Sequence, residues 1–287
     1  MTVFSRVVAS TVLFVSLPFA TGAETLTWGQ IEFKAGSTHV SNIEGEASSI
    51  DDRNPTGYDL AGRIGADWGA FGAQLDLNYS GRNIDPTVSA GYYWGRFGTL
   101  RANYDISSAL TLGAAYGAGD AAGADDDQAT FDFYALEGAY SAGAGVYGLQ
   151  LGTFDASDPQ DTDAFHDGSF ARASTIYTLG NGSVVEGALA YFDGKQDASG
   201  IFNMHAYTWS VEYSQQIGAN PLAWSVGLDG GKFKNGDDGD NGSYNETRVT
   251  LGLTAWFGDS DLGSAKRRGI FSDPEFGRII QAGNNVD

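Results

Sequence analysis

The chain has 287 residues with 36 Asp and Glu against 16 Lys and Arg, a formal net charge of −20, and a surface of that sign repels phosphate and excludes nucleic acid as a partner. It has no cysteine, which removes disulfide frameworks and thiolate metal sites. Its 41 glycines and 2 methionines suit thin sheets joined by many turns.

In chain order, Arg6 leads into the apolar run Val7 to Leu17, Pro18 ends it, and Thr21-Gly22-Ala23 is a small-residue cleavage site. Residues 1–23 therefore read as a secretory signal peptide, with Glu24 the expected mature start. No later stretch reaches the roughly 18 apolar residues of a transmembrane helix, so a membrane role requires strands. From Thr25 to Phe257 long polar segments alternate with short ones. The long ones are Ser41 to Thr56, Ser80 to Pro86, Gly117 to Gln128, Asp155 to Gly168, Asp193 to Gly200 and Asn235 to Ser243. The short ones are Gly69-Ala70, Ser107-Ser108, Ser141 to Ala144, Gly180 to Ser183 and Gly218 to Pro221. Six loops and five turns divide the segment into twelve strands.

Tyr58 to Tyr79 is the clearest hairpin. Tyr58, Leu60, Ile64, Ala66 and Trp68 share one parity, and after Gly69-Ala70 the same face continues with Phe71, Ala73, Leu75, Leu77 and Tyr79. Asp59, Arg63, Asp67, Gln74, Asp76 and Asn78 take the other, so one side of this hairpin is apolar and the other polar. Aromatic residues at the limits of a stripe of about 10 residues match the interfacial girdles of membrane barrels. Trp94-Gly95-Arg96-Phe97-Gly98 echoes Trp68-Gly69-Ala70-Phe71-Gly72; a turn there would split Thr87 to Ile106 and lead to a count of fourteen. The last strand, Glu246 to Phe257, sets Thr247, Val249, Leu251, Leu253, Ala255 and Phe257 against Arg248, Thr250 and Thr254.

By this pattern the chain resembles Gram-negative outer-membrane β-barrels, in particular small porin-like proteins. The resemblance implies an all-β fold, a transmembrane antiparallel up-and-down barrel over residues 24–257, with extracellular loops and both ends in the periplasm. It also implies outer-membrane lipid and lipopolysaccharide as surroundings, small hydrophilic solutes as cargo, and homo-oligomers as an assembly option. Such barrels end on an aromatic residue, whereas Trp256-Phe257 is followed here by thirty more residues, 258–287, expected as a periplasmic tail. Pro274-Glu275-Phe276-Gly277 resembles an element of porin pore loops but sits in that tail, and is read as coincidence.

The polar parity of the readable strands holds Asp59, Arg63, Asp67, Asp76, Arg101, Asp105, Glu186, Glu212, Asp229 and Arg248 as candidate pore-lining residues. An excess of acids behind a low-dielectric wall enriches cations, so the expected function is a weakly cation-preferring channel without enzymatic activity. Two alternatives stand beside it. A structural or adhesion barrel would have its lumen closed by ion pairs; a lipid hydrolase would use His39 and Ser41, which lie on one strand face with Glu44 and Glu46 nearby. The channel is expected to need no cofactor. Asp120, Asp125 to Asp127, Asp155, Asp158, Asp161, Asp163, Asp167 and Asp237 to Asp240 offer oxygen ligands to loop-bound Ca²⁺ or Mg²⁺, but without calcium-loop spacing, and solvation is the expected role. His166 reads as a solvated loop residue and His205 as an interfacial one beside Tyr207 and Trp209. The lack of lumen arginine tracks disfavours anionic oligosaccharides. In the tail, Lys266-Arg267-Arg268 forms a basic cluster, and Pro274 to Ala282 reads either as a short amphipathic helix, placed as a plug under the lumen or against the cell wall, or as part of a disordered periplasmic tail.

Overall fold

The computed structural model describes residues 25–45, 54–83, 92–122, 128–157, 165–196, 202–235, 242–273, 276 and 279. The expected signal peptide lies outside these residues, as do most of the long loops. Twelve strands are found among the described residues: β1 (Thr25–Gly45), β2 (Thr56–Trp68), β3 (Phe71–Asn83), β4 (Tyr92–Asp105), β5 (Leu110–Ala122), β6 (Gln128–Ala142), β7 (Gly145–Ser157), β8 (His166–Thr178), β9 (Val184–Gln196), β10 (Phe202–Gln216), β11 (Leu222–Asn235) and β12 (Gly242–Phe257). Each pairs antiparallel with its sequence neighbours, and β1 pairs with β12, closing the sheet into a barrel without a free edge.

The short connections fall at the five expected turns, and Gly69, Gly143, Gly182 and Gly218 supply the positive φ that tight turns require. Trp94 to Gly98 lies inside β4, paired with β3 through Gly95↔Ser80 and Phe97↔Asn78, so the count stays at twelve. The strands run further toward the loop end than polarity suggests. Gly117 to Ala122 continues β5 and His166 opens β8, because backbone pairing persists above the apolar band whatever the side chains. Register breaks at Ser41/Glu44 and at His166/Ser169, with Asn42 and Asp167 at positive φ beside them.

One face of every strand looks outward and is apolar. Leu136, Leu189, Leu251 and Ile31 are more than three-fifths exposed there, an arrangement suited to lipid and costly in water. Paired rings flank this band on the outer surface. Tyr58–Tyr79 (5.8 Å between centroids), Tyr116–Tyr134 (4.9 Å) and Tyr191–Tyr207 (4.8 Å) lie toward the loop end, and Phe71–Tyr104 (4.8 Å) and Tyr213–Trp224 (5.6 Å) toward the turn end.

After β12 the chain turns into the barrel. Gly258 makes that turn at φ +84°, pressed against the Thr27 carbonyl and the backbone of Trp28. The helix α1 (Leu262–Arg268) follows, capped by Asp261, whose carboxylate accepts from the Ser264 backbone N–H at 2.8 Å. That hydrogen bond holds the Asp261 carboxyl below its ordinary range, so the cap's contribution is lost only as pH falls beneath the range of a free aspartate. The expected helix Pro274 to Ala282 falls largely outside the described residues; within it Phe276 and Ile279 are helical and fully buried.

Gly258→Val adds a Cβ where Trp28 Cα would be 2.7 Å away and forces a branched residue to positive φ, a cost of order 1–3 kcal/mol for the backbone alone. Trypsin cleavage at Lys266, Arg267 and Arg268 is expected to speed up in this variant relative to the parent chain. Equal cleavage rates would mean that Gly258 does not govern entry of the tail.

Candidate functional site

The inner face of the barrel and the C-terminal segment inside it form the candidate site. Three layers succeed one another from the turn end to the loop end. At the turn end Leu262, Ala265, Ile270 and Phe271 of the tail pack on Val146, Ile176, Val184, Ala223 and Trp256. At the loop end Phe276 sits among Phe133, Phe170, Phe131, Phe154 and Phe192, at centroid distances of 4.5, 5.3, 5.8, 5.8 and 5.8 Å. Between them lies a charged layer.

The charged layer resolves into five groups, one of them the pair of Arg82 with Glu246 at 3.0 Å. Arg101 donates to Glu137 Oε1 (3.1 Å) and also binds Asp76 and Asp273, while Arg63 Nε reaches Asp76 Oδ1 at 3.0 Å. Arg248 bridges Asp229 (3.1 Å) and Asp59 (2.7 Å). Lys266 on α1 places its Nζ 3.1 Å from Glu32, 2.5 Å from Glu186 and 3.0 Å from Glu212, and Lys34 lies 2.7 Å from Glu212. Arg268 binds Asp67 and Asp259 and lies over the Trp28 ring, 5.2 Å from its centroid. Buried charges demand such partners, and removing one member of a buried pair leaves the other uncompensated.

Nine of the ten residues proposed from sequence thus stand on the inner face within these groups. Asp105 does not join them: it is exposed at the turn end of β4, where Thr111 donates to it at 2.5 Å. The sequence reading passed over Glu32, Lys34, Arg82, Glu137, Arg172 and Glu246 on the wall. Gln30-Ile31-Glu32-Phe33-Lys34 does alternate, so the β1 pair was legible. Glu137 was not, because β6 turns Phe131 and Phe133 inward and erases the contrast between its faces. Arg172, which reaches Gln150 at 2.8 Å and Ser272 at 2.9 Å, shows that the wall grips the tail as well as itself.

Beside the tail remains a polar cavity of about 240 Å³. It extends from Gln30, Glu186 and Lys266 near the turn end to Arg82 and Ala190 toward the loop end, past Asp59, Asp229 and Arg248. The tail thus binds the wall at Arg101 through Asp273 and at Glu32, Glu186 and Glu212 through Lys266, and the cavity remains beside it.

The three histidines stand outside the charged layer. His39 is outward and exposed, and its Nδ1 lies 3.0 Å from Asn54 Oδ1. His205 contacts Tyr191 at 3.1 Å and Asp193 at 3.0 Å on the outer surface. Asp155, His166 and Asp167 bring ligand atoms within 4.8 Å of one another at the loop end, but Lys195 already places its ammonium 3.6 Å from Asp167. The remaining acids of the long loops lie largely outside the described residues.

A closed antiparallel wall with an apolar, girdled exterior and a charged interior defines a transmembrane β-barrel of the outer-membrane kind. Among solved structures the chain is similar in fold to an outer-membrane channel from Pseudomonas putida F1, with 12% identity over 84% of this chain and 100% of that one and a TM-score of 0.54. A KdgM porin in complex with disordered oligogalacturonate matches at 11% identity over 79% and 98% of the two chains, TM-score 0.44. An active-site mutant of the outer-membrane phospholipase A from Escherichia coli matches at 13% identity over 88% and 98%, TM-score 0.45. No protein-family model matches the chain, and no curated protein sequence does.

Releasing the tail would expose Leu262, Ile270, Phe271, Phe276 and Ile279 together, each contributing about 1.5–3 kcal/mol by burial, and would take Lys266 from Glu186 and Asp273 from Arg101 at the same time. The tail is therefore an internal part of the fold. Phe276→Ala is expected to cost about 3–5 kcal/mol locally. Hydrogen exchange of the peptide covering residues 270–279 should accelerate more than tenfold, with strand peptides unchanged; an unaltered tail peptide would show that the aromatic cage is not its anchor.

Proposed function

We propose that the chain is an outer-membrane channel for small hydrophilic solutes and ions, with a weak preference for cations, and that passage runs through the cavity beside the tail. The observation that carries this reading is the cavity itself. Its lining mixes ionised side chains with apolar ones such as Phe97 and Ile270 inside a barrel whose exterior suits lipid, and the ionised groups among them give small hydrated ions partners along the way. At about 240 Å³ it lies below the roughly 300–1,000 Å³ of pockets for drug-sized ligands, which directs the channel toward ions and very small solutes and away from oligosaccharides.

The preference for cations rests on charge. Asp59 and Asp229 face Arg248, and Glu32, Glu186 and Glu212 face Lys34 and Lys266, so each of these two groups keeps one carboxylate more than its cations offset, while Arg63, Arg82 and Arg172 elsewhere in the lining hold the preference to a weak one. Low-dielectric walls focus that residual field along the passage. The mechanism is diffusion in this field, with the wall fixed by β-pairing and one side of the passage formed by the tail. No covalent step, cofactor or metal is part of it. Lipid and lipopolysaccharide are the surroundings that the outer face would meet.

Single-channel recording of the refolded protein in a planar bilayer should give small ohmic steps, and a salt gradient should give a reversal potential on the cation side. Asp59→Asn, which leaves Arg248 with Asp229 alone, should lower the cation-to-anion permeability ratio. A folded barrel that stays electrically silent contradicts the channel reading.

A further inference from the structure

The wall charges are fixed by the strands, but two charges in the cavity lining come from the tail, Asp273, which is bound to Arg101, and Lys266. Lys266 belongs to α1, and its ammonium is 3% exposed among three carboxylates of β1, β9 and β10. It lines the turn-end portion of the cavity together with Glu32, Lys34, Glu186 and Glu212. Without it that ring would hold three carboxylates against Lys34, a formal charge of −2; with it the formal charge is −1.

We infer that Lys266 is the specificity-determining residue of the passage, set into the lumen by the tail to reduce a strongly cation-selective ring to a weak one. This inference rests on the channel reading above. Three features fix its position independently of its charge. Leu262 and Ala265 of α1 are buried against the wall, Asp261 caps the helix start, and one turn on, Ile270 and Phe271 are buried as well. The ammonium is thus presented by a rigid element rather than by a flexible arm. The groups facing it from every packed element are those four wall residues, and Ser214, which donates to Glu212 at 3.0 Å, further ties the Glu212 carboxylate in place.

Removing one unit charge about 6 Å from a permeating ion changes its local concentration about threefold even in a water-like dielectric. Lys266→Met should therefore raise the cation-to-anion permeability ratio about threefold or more. Glu186→Gln removes a carboxylate from the same ring and should move the ratio in the opposite direction by a similar factor, whereas Lys266→Arg should keep the parent value. All four proteins are compared as full chains in planar bilayers under one salt gradient, with circular dichroism confirming the barrel. Should Lys266→Met fail to fold, the Glu186→Gln shift carries the test. A conducting parent whose ratio is unmoved by these variants overturns the assignment and leaves the channel standing; a silent parent overturns the channel and the assignment with it.

Discussion

The contact of the Lys266 ammonium with Glu32, Glu186 and Glu212 is the interaction on which the interior depends. Three carboxylates on adjacent inner faces repel one another in a medium that screens poorly, and Lys34 offsets only part of that charge. A cation brought in on a separate segment relieves the repulsion and at the same time holds that segment inside. The same logic recurs at Arg268 with Asp67, and with signs exchanged at Asp273 with Arg101. Barrel wall and tail are complementary in charge along most of their shared length.

Charge alone would make such a plug sensitive to salt, because exposed ion pairs are screened within a Debye length of about 10 Å. The apolar layers at the two ends remove that sensitivity. Packing of Leu262 and Ile270 near the turns and of Phe276 among five phenylalanines near the loops brackets the ionic layer on the side that the tail fills. The lumen is thereby divided lengthwise: one side is filled by the tail, and the other keeps the polar cavity.

Most of the barrel was legible because a period of two is hard to mimic. The alternation of Tyr58 to Tyr79 and of Glu246 to Phe257 fixes both faces of three strands of the wall, and glycine-bearing turns such as Gly69-Ala70 mark where chains reverse. The inner charges were legible where the inner face is polar and illegible where it is aromatic. Phe131, Phe133, Phe154, Phe170 and Phe192 point inward, and so look like lipid-facing residues to any reading that equates apolar with outside. Their purpose depends on Phe276, more than eighty residues further along the chain, and no local pattern encodes that meeting. The basic run Lys266-Arg267-Arg268 did carry a signal, since it follows an acidic lumen directly, but only the fold shows that the chain re-enters the barrel at Gly258. Pro274-Glu275-Phe276-Gly277, read as coincidence, contains the residue at the centre of the aromatic cage.

The placement of the C-terminal segment inside the barrel is the central claim, and a disulfide tests it directly. The chain has no cysteine of its own, and a Cβ built on Gly148 of β7 lies 2.9 Å from Ile270 Cγ1 of the tail, within the reach of a disulfide between the two positions. In the double variant Gly148→Cys with Ile270→Cys, mild oxidation of the folded protein should remove both free thiols and join the tail to the wall. Two thiols that stay reduced and react freely with a maleimide in the folded barrel would show that the tail lies outside the lumen, and would contradict the account given for both the charged layer and the passage beside it.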